Sequence, residues 1–222
     1  MPKKLLVFAT NKELENFWGE KIRLQQGQLF KLNAKVYFLV TGISVLNSAF
    51  FLPLALQEHC FDLVINLGLA GSFSEQIPLG DIVLCKQEIW PEFGVLTEQG
   101  VKKELLKFFL WEQKQKIDNR LDLHPSQVLK TMSLDLPSCK QVVSLTVSTV
   151  TGTKKQAHYL KEKFQADIEN MEGFALAYGC AIFKIPFLEL RTISNFVGPK
   201  TDKSWDVQKA FKSLGRLREF LL

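Results

Sequence analysis

Two short stretches near the carboxyl end of the chain carry residue types able to do chemistry. In TISNFVG (Thr192–Gly198), Ser194 and Asn195 stand at the end of an apolar run that begins with PFLELR (Pro186–Arg191) and includes Ile193. In DIENMEG (Asp167–Gly173), Glu169 and Glu172 stand just ahead of the apolar stretch FALAYGCAIF. A helix start favours carboxylates against its dipole, and for Glu169 that reading is kept. Glu172 lies between Met171 and Gly173, so it can be aimed into the mouth of a sheet. There a carboxylate accepts hydrogen bonds from two adjacent ribose hydroxyls, a charge-assisted, bidentate arrangement. Thr41-Gly42, Gly68–Ser72 (GLAGS) and Thr149–Thr153 (TVTGT) also follow apolar runs. Ligands of open α/β sheets sit at strand ends, and glycines there let the backbone approach closely. Together with TISN, these segments describe a polar pocket without a metal, suited to a sugar and a planar base.

The elements that must position these residues alternate in type. Lys4–Thr10, Lys35–Val40, Asp62–Leu67, Asp81–Lys86, Gln141–Ser148 and Pro186–Ile193 read as strands. Helical patterns fall at about 12–20, 44–58, 101–116, 153–164, 172–183 and 202–221, with Pro53 expected to bend the second. The alternation predicts an α/β fold, a three-layer αβα sandwich with a central mixed, largely parallel sheet. No repeat or linker divides the chain, so residues 1–222 are expected to form one domain; residues 89–137 are the least readable.

Composition narrows the function. The 222 residues are 46% hydrophobic and 23% charged, an ordinary globular balance that argues against disorder. The net charge of +5 is spread over scattered lysine pairs, which gives nucleic-acid binding little support. No apolar run reaches the ~18 residues of a membrane span, and the N-terminus lacks a signal-peptide pattern. Cys60, Cys85, Cys139 and Cys180 are far apart and read as reduced thiols, which suggests the cytoplasm. His59, His124 and His158 are isolated, so neither a metal nor a cofactor is expected. GxGxxG, P-loop and GxSxG motifs are absent.

The motifs VINLGLAGSF, PLGDIVL, ENMEGFALA and LRTISN, in that order along most of the chain, resemble the purine nucleoside phosphorylase/nucleosidase superfamily. Within it they most resemble the branch of methylthioadenosine/S-adenosylhomocysteine nucleosidase and futalosine hydrolase. The resemblance implies that Glu172 binds ribose, that Met171 packs on the sugar, and that Glu13 activates the attacking water, with Glu15 two residues away as its rival. Ala70, Gly71 and Ser194 would then lie beside the base, and Thr151, Gly152 and Thr153 beside base and ribose. Asn195 falls where adenine-specific members keep an aspartate. A 6-oxopurine offers acceptors at N7 and O6, which amide donors satisfy and a carboxylate repels. Bacterial phosphorylases of the superfamily carry an arginine where this chain has Gly80, so the resemblance leans toward water over phosphate. It thus implies a futalosine-type hydrolase that releases hypoxanthine on the futalosine route to menaquinone, working as a homodimer or higher oligomer. Trp90, Phe93, Phe196 and Trp205 are candidates for the pocket of the 5′ group. An adenine-type nucleosidase, a phosphate-dependent inosine or guanosine phosphorylase and a catalytically silent nucleoside-binding protein are the alternatives.

Overall fold

The computed structural model describes residues 2–106, 109–112, 116–201 and 204–222. In chain order the elements are β1 (Lys4–Phe8), α1 (Asn11–Trp18), β2 (Leu29–Lys31), β3 (Val36–Val40), α2 (Val45–Glu58), β4 (Leu63–Ser72) and β5 (Ile82–Ile89). A hairpin of β6 (Val95–Thr97) and β7 (Gly100–Lys102) follows, then β8 (Arg120–Asp122), α3 (Pro125–Met132), β9 (Lys140–Thr146) and α4 (Lys154–Phe164). The chain ends with β10 (Ile168–Asn170), α5 (Gly173–Phe183), β11 (Phe187–Phe196), α6 (Val207–Arg216) and α7 (Arg218–Leu221).

The main sheet runs β10-β9-β5-β11-β4-β1-β3-β2, with β8 added on β5, and is mixed, with helices around it. β1 pairs in parallel with β3 and β4, and β11 with β4, whereas β11 meets β5 antiparallel. β10 also pairs antiparallel with β4, so β10, β9, β5, β11 and β4 close into a ring at one end of the sheet.

Both faces of the sheet are covered, which is why its strands read as unbroken apolar runs. β1 shows the division: Leu6 and Phe8 pack with Leu14 and Phe17 of α1 and with Phe211 and Leu214 of α6. Leu5 and Val7 point the other way, to Leu52 and Leu56 of α2 and Leu176 and Ala177 of α5. α5 is apolar all round because it lies between α2 and the sheet. α2 runs through Pro53, at the cost of the hydrogen bond that the missing N–H would have made to the preceding turn.

Several expectations need correction. The helix expected over 101–116 is not there among the described residues: β7 and a 3-10 turn at Lys103–Leu105 take its start, and Trp111 bridges Ile117. Gly100, at φ +94°, instead turns the chain into the β6–β7 hairpin, so tertiary pairing overrides the helical spacing. Residues 202–203 lie outside the described residues, and the last helical stretch is α6 and α7. GLAGS and the end of TISN do not follow their strands, expected at Asp62–Leu67 and Pro186–Ile193, but belong to them: β4 continues to Ser72 and β11 to Phe196, because each has a paired neighbour to its end. Glu169 is not in a helix start but in β10, a strand the apolar pattern did not reveal.

Candidate active site

Glu13 owes its place to local sequence. Thr10 caps α1 and Glu13 sits three residues on, forming a capping box. Glu13 Oε2 accepts from the Thr10 amide at 2.8 Å and from its hydroxyl at 2.9 Å. Its Oε1 accepts from the Leu69 amide at 3.1 Å, which ties α1 to β4. The residue is only 6% exposed, against the solvated glutamate that a first helical turn ordinarily carries. Burial pushes its carboxyl up and Glu172 pushes it further, while Arg191, Thr10 and Leu69 pull it back.

Glu172 is the N-cap residue of α5 and is buried. One carboxylate oxygen accepts from the Ser44 amide at 3.2 Å, the other from Arg191 Nη1 at 3.4 Å. Arg191, 1% exposed, also donates from Nε to Glu189 at 2.7 Å and from Nη2 to Asn170 Oδ1 at 3.1 Å. Its guanidinium is held above its usual range by the flanking carboxylates, against the cost of burial. Gly68 makes the convergence possible. A Cβ there would lie 2.6 Å from Arg191 Nη1 and 2.9 Å from Glu13 Oε1.

Asn195 and Ser194 reach the same place from β11, where the pairing with β4 shifts register and brings Asn195 opposite Gly71. The Ser194 hydroxyl lies 2.9 Å from Asn195 Oδ1 and 3.2 Å from the Ala70 carbonyl, and its one hydrogen serves one of them at a time. Asn195 Nδ2 faces the Phe196 carbonyl at 3.4 Å and lies 2.8 Å from where a Cβ on Gly71 would stand.

These groups surround one cavity of ≈ 430 Å³, lined among others by Glu13, Ala70, Gly71, Met171, Glu172, Ser194 and Asn195. Thr151, Gly152 and Thr153 do not join them. They line a neighbouring cavity of ≈ 320 Å³, which meets the first at Val147 and Val150. Glu15 does not line the main cavity, and neither do Trp90, Phe93 or Phe196; Trp90 stacks instead on Phe93 and lies 6.1 Å from the Phe174 ring. Trp205 does line it, as do Ile43 and Glu169, the last two beyond the sequence reading. Beneath the floor, Cys85, Glu88 and Glu189 bring ligand-type atoms within 4.8 Å of one another, where Arg191 already supplies the positive charge.

The Phosphorylase superfamily profile matches residues 1–219. The chain belongs to that superfamily. Futalosine hydrolase of Thermus thermophilus is 29% identical over 221 residues, covering 98% of this chain and 94% of the relative. Futalosine hydrolase of Streptomyces coelicolor is 30% identical over 161 residues, covering 72% of this chain and 65% of the relative, just under two thirds of its length. The 5′-methylthioadenosine/S-adenosylhomocysteine nucleosidase of Staphylococcus epidermidis is 26% identical over 184 residues, covering 79% and 75%. In fold, the chain matches the Helicobacter pylori enzyme of that name at TM-score 0.75 and 18% identity, covering 100% of this chain and 96% of the other. It matches futalosine hydrolase of the same organism at 0.74 and 18%, covering 99% and 95%. In keeping with relatives named as hydrolases and nucleosidases, the chain is an N-glycosidase. Among the described residues no helix is long and apolar enough to cross a membrane.

Proposed function

We propose that the chain, acting as one nucleosidase domain over residues 1–222 in the cytoplasm, hydrolyses futalosine to hypoxanthine and the freed sugar derivative. The observation that carries the proposal is the meeting of Glu13, Glu172 and Asn195 around one cavity with an asparagine at the base position. Glu172, fixed on one side by Arg191, orders the ribose hydroxyls and stabilises the positive charge that grows on the sugar as the bond to N9 breaks. Glu13 takes a proton from the attacking water, whose oxygen bonds to C1′ as the electron pair leaves with the base. Asn195 donates to the departing purine, which then takes a proton from water.

Water is favoured over phosphate by charge. Arg191 lies behind the cavity wall, committed to Glu172, Glu189 and Asn170, and among the described residues Lys12 is the cation that lines the cavity. Ile43, 52% exposed, lines the cavity and continues into Leu46, Phe50 and Leu54 on the outer face of α2. This stripe supports a homodimer in which the second copy covers the cavity mouth, and Phe50→Glu should leave a monomer on size exclusion.

The test is release of free base from futalosine, inosine and methylthioadenosine, each with and without phosphate. Hypoxanthine from futalosine without phosphate supports the proposal. Adenine release from methylthioadenosine in preference would sink the base assignment, a strict phosphate requirement would sink the water nucleophile, and binding without turnover would mark a silent binding protein.

A further inference from the structure

We infer that Glu169 is a specificity-determining residue of this site, accepting the N1–H hydrogen of a 6-oxopurine on its Oε2 while Asn195 donates to the N7 and O6 edge. The inference rests on the 6-oxopurine reading above and deepens it.

The sheet places the two residues as a pair. Glu169 on β10 stands in register with Gly71 on one side of β4, and Asn195 on β11 stands in register with the same Gly71 on the other. Cross-strand partners project to the same face of a sheet, and both side chains line the main cavity. Gly71 leaves the floor between them bare, which a flat ring requires. Its own side-chain position is already crowded by Asn195.

The carboxylate of Glu169 is half satisfied. Oε1 accepts from the Thr151 amide at 3.0 Å, which fixes the side chain against the loop after β9. Oε2 is buried and has no hydrogen-bond partner, in a residue only 4% exposed. A buried acceptor left unpaired is costly, so a small turn of the side chain that brings Oε2 to the cavity surface is offset by a donor that arrives with the ligand. Burial and the nearby Glu92 raise the Glu169 carboxyl, and the Thr151 amide and hydroxyl oppose them.

The chemistry of the ring decides what that donor is. Hypoxanthine and guanine carry a hydrogen on N1; adenine carries a lone pair there. A carboxylate facing N1 therefore pairs with a 6-oxopurine and repels a 6-aminopurine. An acceptor at Glu169 and donors at Asn195 together match the hydrogen-bonding edge of a 6-oxopurine.

Glu169→Gln separates recognition from support. Its amide oxygen still accepts from Thr151, while its NH₂ replaces the acceptor facing the ring. Measured with futalosine and its 6-amino counterpart, kcat/KM for the 6-oxo substrate should fall by ~10²-fold or more, with the 6-amino substrate unchanged or faster. Equal losses on both substrates would make Glu169 a prop for the loop and overturn the inference, as would an unchanged preference. A wild-type protein that prefers the 6-amino substrate would overturn the 6-oxopurine reading itself. A wild type that prefers the 6-oxo substrate, with Glu169→Gln retaining that preference, would overturn only the role of Glu169. Should the variant fail to fold, N1-methylfutalosine tests the same contact in the wild type. It should be cleaved ~10²-fold more slowly than futalosine, and equal rates would overturn the inference.

Discussion

Two carboxylate-rich regions lie back to back in this protein, one opening to the cavity and one sealed beneath it. In the cavity, Glu13, Glu169 and Glu172 are each held by a backbone amide, from Leu69, Thr151 and Ser44. In the sealed cluster, Glu88 and Glu189 are fully buried among side-chain partners: Thr146 at 2.6 Å and Asn170 at 2.8 Å for Glu88, Arg191 at 2.7 Å for Glu189. Backbone donors fix where a carboxylate stands yet leave it free to meet a ligand. Side-chain donors and a counter-ion neutralise it in place. Arg191 is the residue common to both, with Nε on Glu189 below and Nη1 on Glu172 above. The lower cluster thus anchors the cation that holds Glu172, the carboxylate proposed to meet the ribose.

The comparison breaks most sharply at Glu13. If the cavity carboxylates do chemistry and the buried ones do not, Glu13→Gln should lower kcat by ~10²–10⁴ with little change in KM and only a small drop in melting temperature. Its cap survives, because a glutamine oxygen can still accept from the Thr10 amide, while its NH₂ then faces the Leu69 N–H and gives up that one bond, a loss of about 1 kcal/mol. A loss of stability with only a small loss of rate would reassign Glu13 to structure. Arg191→Met tests the link between the regions. Removing one partner of a buried ion pair costs about 3–5 kcal/mol, so chemical denaturation should show a loss of that size. Loss of activity should accompany it in any variant that remains folded, since Glu172 loses its fixed neighbour. A stable, fully active Arg191→Met would show the two regions to be independent.

The two regions also differ in how legible they were. The α/β class and most of the strands and helices followed from alternating apolar runs, Glu172 and Asn195 stood out in motifs at their ends, and Glu13 joined them only through the family resemblance. Thr151–Thr153 did not fall with them, because a loop's direction after β9 is set by tertiary packing rather than by its own residues. Glu169 was read as a helix-start carboxylate, since a three-residue strand carries too little period to register and its pairing partner Gly71 lies 98 positions away. The lower cluster was invisible for the same reason. Glu88 and Glu189 are 101 residues apart on β5 and β11; Glu88 falls beyond the expected strand Asp81–Lys86, and Glu189 looks like an ordinary polar residue in a strand until the antiparallel pairing joins the two. The region 89–137 misled because helical spacing there is overruled by a hairpin. The capping box TNKE at Thr10–Glu13 was the signal available for a buried Glu13.

The smallest expected effect probes how the sealed region keeps its charge balanced. Burial raises the carboxyl of Glu88 well above its ordinary value, and Glu189 raises it further, while hydrogen bonds from Thr146 and Ser144 and the charge of Arg191 oppose them. Burial raises Glu189 too, but Arg191 and a hydrogen bond with Glu88 pull it back. Because Arg191 pairs directly with Glu189 at 2.7 Å, a proton held by the pair is expected on Glu88, with Glu189 carrying the charge that Arg191 balances. A carboxyl whose folded pKa lies above its unfolded value contributes stability in full below the unfolded pKa, ~4.3 for glutamate. That contribution is lost as pH rises through the raised folded value. Wild-type stability should accordingly decline with pH above ~4.3, by about 1.4 kcal/mol per unit of the upward shift once fully expressed. Glu88→Gln removes this contribution without opening a cavity. Its carbonyl can accept from Asn170 Nδ2, its NH₂ can donate to the Thr146 oxygen, and the Thr146 hydroxyl can turn to Asn170 Oδ1, 3.4 Å away. Urea midpoints of variant and wild type should converge in acid and separate in the variant's favour as pH rises, with a residual slope left by Glu13 and Glu169. Parallel curves would show that Glu88 is not the proton's seat, and that the sealed region balances its charge by some means other than a neutral carboxyl.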